Sequence, residues 1–128
     1  ANYLTEHEMV ERVTYPGLQE SRYRPLVDKY LPKGAGAVLS FDIRGGREAG
    51  QAFLQNLTLW SHLANVGDSK SLIIHPASTT HRQLKDEELL AAGVGDGTIR
   101  LSVGIEDIND LIWDLDQSFT EVRKYRNA

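Results

Sequence analysis

The sequence predicts an α+β domain, a two-layer fold with a mainly antiparallel sheet of four to five strands and helices on one face. Three observations carry this. Most strand candidates alternate apolar and polar residues, the pattern of a sheet with one covered face. Two segments, residues 47–57 and those from Asp107 onward, carry apolar stripes at helical spacing. The chain has 128 residues, the size of one domain able to bury a core.

Residues 2–8 read as the last turns of a helix. Residues 9–15, "MVERVTY", alternate as a strand, and Pro16-Gly17 is a turn signal. Residues 22–31 form a short helical candidate in which Tyr23, Leu26, Val27 and Tyr30 recur at helical spacing, closed by Pro32. "GAVLSFDIRGG" is the clearest strand, with Leu39, Phe41 and Ile43 on one face and Ser40 and Asp42 on the other. The helix over 47–57 sets Ala49, Ala52, Phe53 and Leu57 on one stripe. "LTLWSHLA" (57–64) and "LIIHP" (72–76) are strand candidates separated by a loop. "KDEELLAAGVGDG" is a helix of two or three turns with Gly93 at the C′ position. A strand over 98–104 leads to the final helix. Asp107 is its N-cap candidate, and Ile108, Leu111, Ile112, Leu115, Phe119 and Val122 form its apolar face.

Composition bounds the function. The net charge of −4 argues against non-specific nucleic-acid or membrane-surface binding, which needs a positive field. The absence of cysteine excludes disulfides, thiol nucleophiles and cysteine-ligated zinc. No apolar run approaches the roughly 20 residues that span a bilayer. A cytoplasmic setting is the default expectation. The chain begins at Ala1, as a piece of a longer protein or a chain with a processed Met would.

Several motifs have ordinary explanations. His75 and His81 bracket "HPASTTH" at a spacing unlike a metal site, so capping or core hydrogen bonding is the better reading. Ser78, Thr79 and Thr80 offer hydroxyls suited to capping or an ST-turn. "RGG" at 44–46 is a strand-to-helix turn rather than a nucleic-acid motif. "GVGDGT" at 93–98 runs from helix to strand, whereas a phosphate cradle precedes a helix. No catalytic triad can be assembled. Arg100 stands out. It is a cation mid-strand, on the polar face with Ser40, Asp42, Thr98 and Ser102. Patterning alone favours a solvated arginine. The functional alternative is a clamp, in which a planar fork of donors on a rigid strand holds a carboxylate.

Taken together, "VERVTYPGL", "KYLPKGAGAVLSFDIRGG", "AGQAFLQNLTLWSHLANVGDSKSL", "KSLIIHPASTTH" and "GVGDGTIRLSVGIEDINDLIWDLDQSF" resemble the C-terminal domain of the cysteine and methionine metabolism enzymes. These are pyridoxal-phosphate (PLP) enzymes of the aminotransferase-like fold. The wording "ANVGDSKSL", with Lys70 before Ser71, is most similar to the O-acetylhomoserine sulfhydrylases. The resemblance implies that Arg100 binds the substrate α-carboxylate, with Ser71 at the same site and Thr80 at its edge. It assigns no catalytic or metal-binding residue to this chain. The Schiff-base lysine, in a Ser-x-Thr-Lys type segment, and the groups holding the cofactor belong to a large domain absent from this sequence. The implied reaction of the whole enzyme joins O-acetylhomoserine to sulfide or a thiol, giving homocysteine or methionine plus acetate. PLP serves as the electron sink. A homotetramer is implied for the full-length enzyme, and the 128 residues alone are expected to be inactive. Two alternatives stand beside this reading: a piece of a cystathionine or methionine γ-lyase or synthase relative, and a stand-alone α+β binding module.

Overall fold

The computed structural model describes residues 1–79, 85–91 and 94–127, apart from the side chains of residues 86, 89, 90 and 127. Among them, five strands form one sheet in the order β1-β2-β5-β4-β3. The strands are β1 (Val10–Thr14), β2 (Val38–Ile43), β3 (Ser61–His62), β4 (Leu72–Ile74) and β5 (Thr98–Ser102). The helices are α1 (Asn2–Thr5), α2 (Arg24–Tyr30), α3 (Gly46–Gln55), α4 (Asp86–Ala91) and α5 (Ile108–Asn127), with a single 3₁₀ turn over Pro76–Ser78. The β1–β2, β2–β5 and β5–β4 pairs are antiparallel, and only β3 runs parallel to its neighbour. The expected α+β class and mainly antiparallel sheet are observed.

The core lies between one sheet face and helices α3 and α5. Phe41, Ile43, Ile73, Ile99 and Leu101 meet Phe53, Leu111, Leu115, Phe119 and Val122 there. Phe53 and Phe119 meet at a tilt with ring centroids 4.5 Å apart, and Phe41 meets Phe53 edge-on at 5.8 Å. Four of the six apolar residues assigned to the α5 stripe are buried, whereas Ile108 is exposed and Ile112 only partly covered. Asp107 caps α5 through its Oδ1, which accepts from the Asn109 amide at 2.8 Å. Gly45, before α3, and Gly46, its first residue, both take positive φ, the turn expected of "RGG".

Three differences from the sequence reading have physical causes. The candidate strand over 57–64 shrinks to two residues because Asp114 of α5 captures its backbone. That carboxylate accepts from the amides of Thr58 (2.9 Å), Leu59 (2.7 Å) and Trp60 (3.0 Å). Those donors are then unavailable to a ladder. On α2, Val27 is buried but Tyr23, Leu26 and Tyr30 are exposed, so periodicity there marks no core face. On the sheet face opposite the helices, Leu72 and Ile74 of β4 are buried alongside the polar residues of β2 and β5. That face is therefore only partly polar.

A second carboxylate ties β4 to the end of β5. Glu106 accepts from the Ser71 amide through Oε1 (2.8 Å) and from the Ser71 hydroxyl through Oε2 (2.7 Å). The same hydroxyl accepts from the Gly104 amide at 2.8 Å. The Ile105 amide donates to the Ser69 carbonyl at 2.9 Å. The approach is so close that a Cβ at Gly104 would overlap the Ser69 carbonyl oxygen and the Lys70–Ser71 peptide.

Replacing Gly104 by Ala is expected to destabilise the domain by about 1–3 kcal/mol, the range for overpacking, read by urea denaturation. Asp114→Ala is expected to cost roughly 3 kcal/mol, because three backbone donors lose a charged acceptor at once. Burial alone would push the Asp114 carboxyl up, but the amides of Thr58, Trp60 and Leu59 together with Gln117 outweigh it and hold it below its ordinary value. A depressed carboxyl stabilises above its unfolded value and loses that contribution as pH falls through the folded one. Acid titration below about pH 4 should therefore destabilise the wild type more steeply than Asp114→Asn.

Candidate functional site: the Arg100 face

Arg100 sits in the middle of β5, with Ser40 of β2 on one side and Ile74 of β4 on the other. Its strand neighbours Ile99 and Leu101 are buried in the core, so alternation sends the arginine to the face opposite α3 and α5. Beside it on that face lie Leu72 and Ile74, both buried, with Ser40, Asp42, Thr98 and Ser102. The residue is partly buried. A guanidinium over such a floor is poorly screened, which strengthens its attraction for an anion.

The described residues of its own and the adjoining strands do not supply that anion. Asp42 is the only acid in β2, β4 or β5, and its carboxylate is already engaged. Oδ2 faces Arg12 Nη2 at 2.9 Å, and Oδ1 accepts from the Thr98 hydroxyl at 2.6 Å. Thr98 Oγ1 in turn accepts from the Gly95 amide at 2.9 Å. Among the described residues, Arg100 forms no hydrogen bond or ion pair. It presents a fork of five donors, none of them bonded to a described residue.

Ser71 lies immediately before β4 and is fully buried. Its only proton goes to Glu106 and one lone pair receives the Gly104 amide, so its hydroxyl has no donor left for a ligand. Glu106 is held below its ordinary value first by the Ser71 amide, and so is ionised. Thr80, the third expected site residue, lies outside the described residues, as do His81 and Gly93. Thr79 donates its hydroxyl to the His75 carbonyl at 2.9 Å, and Ser78 Oγ lies 3.2 Å from the same oxygen. His75 is buried, with Nε2 2.5 Å from the Asp96 carbonyl and Nδ1 2.8 Å from Ser78 Oγ. Burial lowers its pKa, which favours the neutral ring. It is the core histidine that its sequence context suggested.

Two residues that shape this region, Glu106 and Gly104, carry no role in the sequence reading. The signal was present in "SVGIED", where an acid precedes the cap residue Asp107 and cannot itself be the cap. What that acid holds is 35 residues away, and no local pattern reveals it.

Comparison with known proteins agrees with this architecture. The family model described as Cys/Met metabolism PLP-dependent enzyme matches residues 1–120. An O-acetyl-L-homoserine sulfhydrylase of Leptospira meyeri is 46% identical over 123 residues, covering 95% of this chain and 28% of that protein. An L-methionine gamma-lyase of Fusobacterium nucleatum subsp. polymorphum is 44% identical, covering 94% of this chain and 30% of the relative. Among solved structures, the cystathionine gamma synthase of Xanthomonas oryzae pv. oryzae, in complex with aminoacrylate and cysteine, superposes with a TM-score of 0.84 at 38% identity. The match covers 97% of this chain and 32% of that one. A Campylobacter jejuni protein whose structure holds a pyridoxyl-lysine monophosphate gives a TM-score of 0.85 at 45% identity, covering 94% of this chain and 28% of that one. The chain thus spans less than a third of the length of these relatives.

The residues present fit one end of such a site only. Covalent attachment of pyridoxal phosphate needs an enclosed lysine, and Lys29, Lys33, Lys70, Lys85 and Lys124 are all exposed. The Arg100 fork instead fits a carboxylate. With the family model matching nearly its whole length and the same small-domain fold in solved relatives, the chain belongs to the Cys/Met metabolism PLP-dependent enzymes.

Proposed function

We propose that these 128 residues are the small, C-terminal domain of a PLP-dependent O-acetylhomoserine sulfhydrylase, and that Arg100 binds the α-carboxylate of its amino-acid substrate. The observation that carries the reading is the unanswered guanidinium. A partly buried cation whose neighbouring acid, Asp42, is committed to Arg12 and Thr98 is a receptor lacking its anion. A carboxylate accepts two parallel N–H bonds from such a fork, which fixes orientation as well as position. Arg100 does not exchange protons, because guanidinium stays charged at working pH. Its part is to place the substrate on a rigid strand so that the reacting bonds meet the catalytic groups of the companion domain.

Ser71 supports this arrangement indirectly. With its proton on Glu106, it joins the start of β4 to the turn after β5, the two segments that flank Arg100. Thr80 would stand at the edge of the same pocket.

The donor substrate is O-acetylhomoserine and the acceptor is sulfide or a thiol, with acetate as the leaving group. The sulfhydrylase names among the relatives favour this branch. A methionine or cystathionine γ-lyase activity is the second reading, favoured by relatives of nearly equal identity. In either case the large domain brings the cofactor and its lysine, the protein works in the cytoplasm, and full-length chains assemble as homotetramers.

The full-length protein carrying Arg100→Ala is expected to lose roughly 1.5–3 kcal/mol of substrate affinity, about a 10- to 150-fold rise in KM for O-acetyl-L-homoserine. Unchanged affinity would refute the carboxylate role. Parallel assays with cystathionine and methionine decide between the two branches. The isolated 128-residue chain is expected to show neither cofactor absorbance nor turnover, and an absorption band above the protein region after incubation with PLP would contradict this.

A further inference from the structure

Among the described residues, the hydroxyl of Ser102 is the buried side-chain polar atom left without a hydrogen-bond partner. Ser102 is 2% exposed. Its neighbours across the ladder are Val38 on β2 and Leu72 on β4, neither of which has a polar side-chain atom. Burying a hydroxyl without a partner destabilises a fold, and alanine would fill nearly the same space without that cost. The serine therefore detracts from stability at this position.

Two residues along the same strand, on the same face, stands Arg100, which like Ser40 opposite it on β2 has no side-chain partner among the described residues. Their backbone positions are about 6.6 Å apart at the usual strand rise, within the span of an extended arginine. Only one polarity of contact is possible between them. A guanidinium has donors and no acceptor, whereas a hydroxyl oxygen keeps two lone pairs. The hydroxyl is enclosed, so a ligand does not reach it directly.

We infer that Ser102 is a positioning residue for Arg100, accepting one guanidinium N–H when a carboxylate occupies the remaining fork, and so fixing the plane in which the substrate is held. This rests on the carboxylate reading of Arg100. The serine acts on the arginine and touches no substrate itself.

The test uses the full-length holoenzyme with Ser102→Ala, Ser102→Thr, Arg100→Ala and the double variant. The probes are O-acetyl-L-homoserine and aminopropyl acetate, the same chain without the carboxylate. Ser102→Ala is expected to raise KM for O-acetyl-L-homoserine about tenfold, the usual effect of losing one hydrogen bond to a charged group, with kcat changed less than about twofold. KM for the amine should stay constant, and the melting temperature should hold or rise. Ser102→Thr, which keeps the hydroxyl, should restore KM, and Ser102→Ala should add nothing in the Arg100→Ala background. An unchanged KM in Ser102→Ala, beside a raised KM in Arg100→Ala, would overturn this role for Ser102 alone. So would equal effects on acid and amine, or a fall in melting temperature with parallel losses in KM and kcat. An unchanged KM in Arg100→Ala would instead overturn the carboxylate reading and this inference with it.

Discussion

Everything at the Arg100 face depends on the double pairing of β5. That strand is hydrogen-bonded to β2 on one side and β4 on the other, and its Ile99 and Leu101 are locked into the core. Because side chains alternate, a slip of one residue would bury the guanidinium among Phe41, Phe53 and Phe119 and expose two large apolar residues. The hydrophobic register therefore fixes the direction of the arginine. The register alone carries the side chain to that face, where it has no partner among the described residues.

The acids of the domain behave differently. Asp114 and Glu106 each receive backbone amides from a distant segment, and each holds a stretch of chain that would otherwise lack a ladder partner. Asp42 settles on Arg12 and Thr98. In a chain with an overall charge of −4, a strand cation could readily have been neutralised from within. Instead the available carboxylates around β5 are spent on the backbone and on other side chains.

Much of this was legible in the sequence. Alternation in "GAVLSFDI" located β2 and its two faces, and the three- and four-residue spacing from Leu111 to Val122 located the buried side of α5. The capping role of Asp107 and the glycine turn at 44–46 followed from local chemistry. The failures share one cause. The loss of the strand over 57–64 was decided by Asp114, more than 50 residues away. The exposure of Tyr23, Leu26 and Tyr30 was decided by what does not pack on α2. Glu106 and Gly104 acquire meaning only through their contact with residues 69–71. At the site, patterning alone gave a solvated Arg100. The carboxylate clamp stands beside it as the alternative, resemblance to a family favours that alternative, and the commitments of Asp42 show why the arginine is unmatched among the described residues.

The edges of the sheet have a further bearing on how this domain meets other molecules. On one side β3 offers only Ser61 and His62, and on the other the pairing of β1 is interrupted between Val10 and Arg12. A short rim and an irregular rim both make poor templates for an incoming extended chain, so the sheet resists runaway lateral growth. An extended chain therefore finds little main-chain template at either rim.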